Sequence, residues 1–363
     1  MTFDDGPTVA PARPYSGRGI TELILEVMSH YGAKGTFDVI GSTAENYPDE
    51  AGKPGSFTWS GKKYDHYPEF GQDQLAGVAN QPDLVRKILM AGHELSNHGY
   101  RHMAFGPQPI IYGSRAYFRT IEEVITDLKR LHTLVSEEFG FSMTLGRPPH
   151  YIDRIPDGHF SYDAYEALGY QYLAASFDGG GWRAATGDPA DEVEKMVTPM
   201  QKALEEDPDC LNGQIIFQKD GYNMSLQAPI VEALPKQLAL LKRYDYEVIP
   251  VGQLLAVSPY RDIGPSHPAY AAVRHLEAKG LPVLYPDNTF RPEQPCLVGE
   301  MLQWLPYKDT LSSFCRDQLT VGMLLRMVPE KAASFAGITT RETSRPVPRW
   351  QAALAAVESI ENG

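Results

Sequence analysis

The chain has no run of about 18 consecutive apolar residues, so no membrane-spanning helix is written in it. It has no cluster of lysine and arginine either. The formal net charge is −13, with the excess acid spread along the chain, which argues against a nucleic-acid partner and reads as a solubility feature. Only three cysteines occur, Cys210, Cys296 and Cys315, and none shares a CxxC spacing. That argues against a cysteine–zinc cluster or a disulfide framework; free thiols are expected, with a single bridged pair as the alternative. There is no clear tandem repeat and no signal peptide. The chain opens on "MTFDDGP", a stub of strand before a turn, so residues upstream are expected to be missing.

What is present fills a sizeable core. With 42% hydrophobic and 10% aromatic residues, 363 positions are ample for two domains. Over the first 250 residues or so, helical and strand-like patterns alternate, which predicts an α/β fold. Helices are expected at 20–31, 81–92, 117–140 and 229–243, the last with an internal Pro235. Strands are expected at 33–41, near 170–177, at 213–218 and at 246–251. Residues 47–80 read as a long loop-like insertion, a length that usually marks function. A Pro-, Gly- and Ser-rich linker follows at 257–268, and the remainder is mostly helical. The expected domains are therefore 1–256 and 257–363.

Three short stretches carry chemistry. "TFDDGP" (2–7) ends a strand on two adjacent acids, Asp4 and Asp5. "GHELSNHGYRH" (92–102) holds His98 and His102 four apart, a spacing that points two imidazoles the same way on one helical turn. Two imidazoles and one carboxylate make a common open site for a divalent metal. His93 follows the helix-stopping Gly92 and reads as a packed or capping histidine. In "GRPPHY" (146–151), two prolines stiffen the loop after Arg147, whose guanidinium can hold a carboxylate in one orientation.

Together these stretches resemble the NodB-homology polysaccharide deacetylases, carbohydrate esterase family 4. "TFDDGP", "NHGYRH" (97–102) and "RPPHY" (147–151) match three of its ordered motifs, and "AKGTFDVIG" (33–41) is similar to the strand between the first two. The similarity runs to about residue 255. It implies a distorted (β/α) barrel with sites at strand C-termini, followed here by a small, mostly helical C-terminal domain. It also implies roles. Asp4 would be the general base, held and polarised by Arg147. Asp5, His98 and His102 would hold one divalent metal, zinc first, with cobalt, nickel or iron as alternatives. The backbone amide of His150, where the family usually has tyrosine, would help bind the oxyanion, and Trp182 and Phe217 would line the acetyl pocket, with ordinary core packing as the other reading of those two side chains. The implied reaction is hydrolysis of the N-acetyl group of a glycan, by water made more acidic by the metal and deprotonated by the base.

Two motifs depart from the family. "DGGGW" (178–182) keeps Asp178 and Trp182 but has Gly181 where the family has a second Asp. "FQKDG" (217–221) has Phe217 at the leucine and Lys219 at the histidine that serves as general acid. Three readings of the missing acid stand side by side. Lys219 replaces it, although an unperturbed lysine has a pKa near ~10.4 and is a reluctant acid. Or the proton comes from elsewhere, from His150, His66 or Tyr64. Or the acid is gone, which leaves a slow enzyme or a metal- and sugar-binding pseudoenzyme. A small-molecule amidohydrolase is the further alternative.

The tail at 262–305, with "AYAAVRHLEAKG" and "YPDNTFRPEQP", resembles one S-layer homology module, and 312–328 reads as a worn second copy. Where the family runs Thr-Arg-Ala-Glu, this chain has "LVGE" (297–300): Glu300 is kept and the arginine is missing. The resemblance implies a cell-wall polymer as a possible partner of the tail and an extracellular or wall-associated location. A packing role for the tail is the other reading.

Overall fold

The computed structural model describes residues 1–45, 58–59, 62–63, 73–107, 116–183, 185–256, 260, 262–264, 267–285, 289–305, 316–339 and 343–362. Most of the 47–80 insertion, with Tyr64 and His66, lies outside them, as does Cys315. The chain divides into two compact units, Met1–Leu254 and Leu255–Gly363.

The first unit is a curled sheet of seven parallel strands: β1 (Thr2–Asp4), β2 (Thr36–Val39), β5 (Glu94–Asn97), β6 (Leu145–Gly146), β7 (Gln171–Tyr172), β8 (Phe177–Asp178) and β9 (Ile216–Lys219). A separate antiparallel pair joins β3 (Thr58–Trp59) to β4 (Lys62–Lys63). The order in the large sheet is β7-β6-β5-β2-β1-β9-β8, and its edges β7 and β8 do not pair, so the barrel is open on one side. Helices α1 (Ile20–His30), α2 (Pro82–Met90), α3 (Ile121–Phe139), α4 (Ser161–Leu168), α5 (Pro189–Glu206) and α6 (Ile230–Arg243) alternate with the strands, and α7 (Val251–Ala256) follows α6.

Local chemistry explains these bounds. Thr120 caps α3 by accepting the Glu123 amide, and Gly140, at φ 64, closes its other end in the left-handed region that suits glycine. Pro235 sits inside α6 without ending it. Strand alternation sorts the two faces of the sheet. Phe3, Phe37 and Leu95 lie side by side across β1, β2 and β5, fully buried, with the two phenyl rings stacked at 4.9 Å. The opposite face carries a polar row: Lys219, Asp4, Asp38 and Ser96 are consecutive partners across β9, β1, β2 and β5.

One expected strand is not a strand. Residues 246–251 run without a ladder; the Val248 carbonyl accepts from Lys34, the Val251 amide donates to the Thr36 hydroxyl, and α7 starts at Val251. Pro250 removes a backbone donor just there, and the segment closes over the start of β2 instead of extending the sheet.

The second unit has its own core, centred on Trp304, Phe290 and Leu324, and contains α8 (Tyr270–Ala278), α9 (Val298–Trp304), α10 (Val321–Met327), α11 (Glu330–Phe335) and α12 (Arg349–Asn362). Three segments form a closed ring of backbone bonds. The Cys296 amide donates to Val347, Val347 to Leu319, and Leu319 back to Cys296. One turn on, Val298 donates to Asp317, Val321 to Arg345 and Arg349 to Gln294. The segments before α9, α10 and α12 are therefore equivalent, and the described residues of the unit hold three copies of this segment-and-helix element where the sequence displayed one clearly and a second faintly. The arginine missing from 297–300 comes from the third copy. Arg349 is buried, pairs with Glu300 and donates to the carbonyls of Phe290 (2.7 Å) and Val283 (2.6 Å).

Candidate metal and hydrolase site

The C-terminal ends of β1, β2, β5, β6 and β9 converge on one cluster. Asp4 ends β1, and Asp5 follows it at φ 79. His98 follows β5 directly. His102 is at φ 49, so the two histidines sit on a loop and not on the helical turn expected from their spacing. They converge nonetheless, because Gly99, at φ 84, folds the loop back. The amides of Tyr100 and Arg101 anchor it on the buried Asp127 carboxylate. Arg147 follows β6; His150 and Tyr151 sit in a short 3-10 turn, also at positive φ. Strained backbone of this kind, at Asp5, His102, His150 and Tyr151 together, is typical of functional sites.

Asp5 Oδ1 is 3.2 Å from His98 Nε2 and 3.1 Å from His102 Nε2, and all three residues are buried. A tetrahedral cation with bonds of about 2.0–2.1 Å places its donors roughly 3.3 Å apart, so this donor set fits zinc or a similar ion. The tautomer fits as well. His98 Nδ1 is 2.8 Å from the Arg147 carbonyl, which can only accept, so Nδ1 carries the proton and Nε2 offers a lone pair. Burial alone would raise the Asp5 carboxyl, but Lys219 and His102 outweigh it and hold it well below the usual carboxylate range.

Asp4 stands beside this set, with Oδ2 3.9 Å from His98 Nε2. Its Oδ1 receives the Arg147 Nη1, which also reaches the Thr2 hydroxyl at 3.1 Å, while Nε donates to the Leu173 carbonyl at 2.8 Å. Burial pushes the Asp4 carboxyl up to about 7 against the pull of Arg147. Lys219 ends β9 with its Nζ on Asp5 Oδ2. The built Cβ of Gly181 would lie 3.5 Å from the Lys219 amide nitrogen and 3.2 Å from the Met196 methyl, so the two motif departures are neighbours in space.

The His150 ring lies 5.0 Å from the His102 ring, centroid to centroid. Phe217 meets Tyr151 edge-on at 6.4 Å, with the Arg147 guanidinium 5.8 Å from its centroid. Trp182 donates to Asp178 at 3.1 Å, and no described contact joins it to the carboxylate–imidazole cluster. His93 is packed, as its position suggested: its Nδ1 accepts the Gly35 amide at 3.0 Å and its ring meets Phe37 edge-on.

Two buried acids escaped the sequence reading. Asp38 has one oxygen on the Ser96 hydroxyl and the other 2.9 Å from His98 Nδ1. Its signal was there: the tripeptide "TFD" of β1 recurs in β2, and the two copies pair in register. Asp220 follows Lys219, donates its amide to the Asp4 carbonyl at 2.7 Å and takes the Thr21 hydroxyl at 2.8 Å. Burial raises its carboxyl to about 7. It packs so closely under Gly6 that a Cβ there would fall 2.0 Å from its Oδ2.

His93 makes one consequence testable. Burial lowers its pKa to about 4, against an ordinary 6.5. The unfolded chain therefore takes up a proton below about 6.5 that the folded chain refuses until about 4. This contribution to stability is complete above pH 6.5 and falls by up to about 1.4 kcal/mol per pH unit in that window. His93→Gln, which keeps an acceptor for Gly35, is expected to lose roughly 1.5 kcal/mol less than the unsubstituted protein between pH 6.5 and 5, measured by urea unfolding.

Residues 1–173 match the family model for polysaccharide deacetylase, and residues 259–301 that for the S-layer homology domain. A peptidoglycan-N-acetylglucosamine deacetylase of Bacillus cereus is 28% identical over 257 residues, which is 70% of this chain and 86% of that protein. Among solved structures, a peptidoglycan deacetylase from Bacillus subtilis is 18% identical over 70% of this chain and 88% of its own, at a TM-score of 0.44. A CE4 family pseudoenzyme from Bacillus anthracis is 14% identical over 70% and 63%, at 0.43.

Proposed function

We propose, from a chain whose residues 1–173 match the polysaccharide deacetylase family model and whose residues 259–301 match that of the S-layer homology domain, that this protein is a metal-dependent hydrolase removing N-acetyl groups from a bacterial cell-wall or related polysaccharide. The observation that carries the reading is the convergence of Asp5 Oδ1 with the Nε2 atoms of His98 and His102 beside the Asp4–Arg147 pair. In this reading Asp5, His98 and His102 hold one divalent cation. Zinc suits two imidazoles and a carboxylate best, and cobalt, nickel or iron also fit. A cation there supplies Lewis acidity toward the acetyl carbonyl and toward water.

The chain's own groups do the rest. Asp4 takes the proton from the attacking water; a carboxyl raised to about 7 by burial is close to the optimum for a base working near neutrality. Arg147 holds Asp4 in place and keeps it from rising further. The backbone amide of His150 helps bind the developing oxyanion, and Phe217 and Trp182 border the acetyl group. Lys219, already on Asp5, supplies a fixed positive charge, and the leaving nitrogen takes up the proton that Asp4 drew from the water. The similarity to a wall-glycan deacetylase and the S-layer homology domain together favour a wall polymer as substrate and a location outside the cell or at the wall. Attachment of the second unit to that polymer is part of the proposal.

The test is acetate release by the zinc-loaded full chain from N-acetylglucosamine oligomers and from wall glycan. Release from either supports the reading. A second reading, a metal- and sugar-binding pseudoenzyme, is favoured by the adjacency of Lys219 and Gly181. If acetate appears only in the double variant Gly181→Asp, Lys219→His, the pseudoenzyme reading replaces the first. A Cβ at 181 would be crowded only by the flexible end of Met196, at 3.2 Å, with the Lys219 amide nitrogen and Gln218 Oε1 at ordinary contact distance.

A further inference from the structure

We propose that Asp38 is a positioning residue of the cation site, which holds His98 with Nε2 toward Asp5 and supplies the negative charge that offsets Lys219. This rests on the reading of Asp5, His98 and His102 as cation ligands and deepens it.

Asp38 sits in the middle of the inner polar row. Register puts Asp4 beside it on β1 and Ser96 on β5, with Lys219 beyond Asp4 on β9. It is fully buried, in a parallel sheet whose strands normally carry apolar side chains at such positions. A buried carboxylate beside a second one in the next strand is costly unless cations and donors compensate it. Here the compensation is built in. Ser96, itself fully buried, gives its hydroxyl to Oδ1, and Oδ2 is 2.9 Å from His98 Nδ1. Nδ1 hydrogen-bonds the Arg147 carbonyl, and Asp38 Oδ2, a buried oxygen with no hydrogen bond of its own, stands 2.9 Å away as a negative charge behind the ring. The carbonyl sets the proton's place, and the carboxylate adds a full negative charge behind the ring, which makes the far nitrogen a stronger donor.

Charge points the same way. The cluster holds the carboxylates of Asp4, Asp5 and Asp38 and the fixed cations of Arg147 and Lys219. Without the Asp38 carboxylate the cluster would be one negative charge poorer before any dication entered. Lys219 contacts the ligand carboxylate itself, so it draws on the same oxygen pair that a cation would use. Asp38 and Lys219 thus act on cation affinity in opposite directions from opposite ends of one row.

The experiment is zinc affinity of the full chain, measured by competition with a chromophoric chelator, with the melting temperature of the metal-free protein alongside. Asp38→Asn keeps the shape and removes the charge; it is expected to weaken zinc binding about 10–100-fold without lowering the metal-free melting temperature. Lys219→Met is expected to tighten binding about 10-fold, and the double variant to return near the unsubstituted affinity. Ser96→Ala, which frees one Asp38 oxygen, is expected to weaken zinc less than Asp38→Asn does and provides the same test if Asp38→Asn folds poorly. A merely structural role would not produce opposite signs that cancel. Unchanged affinity in Asp38→Asn and Ser96→Ala, with Asp5→Asn losing zinc, overturns this proposal and leaves the ligand reading standing. No zinc uptake by the unsubstituted protein overturns both.

Discussion

Asp4→Asn is expected to lower acetate release by about 10²–10⁴-fold at saturating zinc and substrate, the usual cost of losing a general base. The substitution is nearly isosteric, and the amide oxygen can still receive the Arg147 guanidinium, so the sheet should not rearrange. What is lost is the basicity of a buried carboxyl that burial has pushed up to about 7. Zinc affinity provides the control that separates base from ligand. Asp4 Oδ2 is 3.9 Å from His98 Nε2, whereas Asp5 Oδ1 is within 3.2 Å of both imidazoles, so Asp4→Asn should change zinc affinity far less than Asp5→Asn does. A rate within tenfold of the unsubstituted protein, with zinc bound, would remove Asp4 from the role of base.

Arg147→Met is expected to cost the first unit about 3–5 kcal/mol, which is the scale for deleting one partner of a buried ion pair. Arg147 is fully buried and extends along the inner face between Asp4, Thr2 and the Leu173 carbonyl. Methionine fills most of its volume but leaves Asp4 and Asp38 as neighbouring buried acids on adjacent strands with one cation fewer. For a unit of this size the loss corresponds to a fall on the order of 10 °C in its calorimetric transition. The second unit, which has a separate core, should keep its own transition. Adding Asp4→Asn to Arg147→Met removes the stranded charge and should recover part of the loss. Equal losses in the single and double variants would mean that packing and the Thr2 and Leu173 bonds dominate, and that the ion pair contributes little.

The extent to which the site could be read from sequence follows from how local each feature is. Asp4 with Asp5, His98 with His102, and Arg147 before two prolines are each written within a few residues, and each turns up at the end of a strand in the cluster. The spacing of the two histidines predicted a shared helical face, and the structure brings their rings together by another route. A loop turned by Gly99 and tied to Asp127 brings them together, and residue spacing alone does not distinguish that loop from a helical turn. Asp38 looked like an ordinary strand residue because its partners, Ser96 and His98, lie about 60 positions downstream. The chain at 246–251 had the composition of a strand, but a strand exists only where a neighbour offers a ladder, and here the available partners were a threonine hydroxyl and single carbonyls.

By itself, then, the order of residues determined the α/β alternation, the strand-end acids, the histidine pair and the stiffened arginine. These depend on backbone preference, on side-chain periodicity and on groups close together in the chain. Tertiary structure alone decided what those groups face. It put Lys219 onto Asp5 across 214 positions, set Asp38 behind His98, placed Gly181 beside Lys219, and closed three short segments of the tail into one ring in which Arg349 serves Glu300. Strand register and ring closure are properties of pairing between distant segments, and a buried charge is settled only by the particular partners that such pairing delivers.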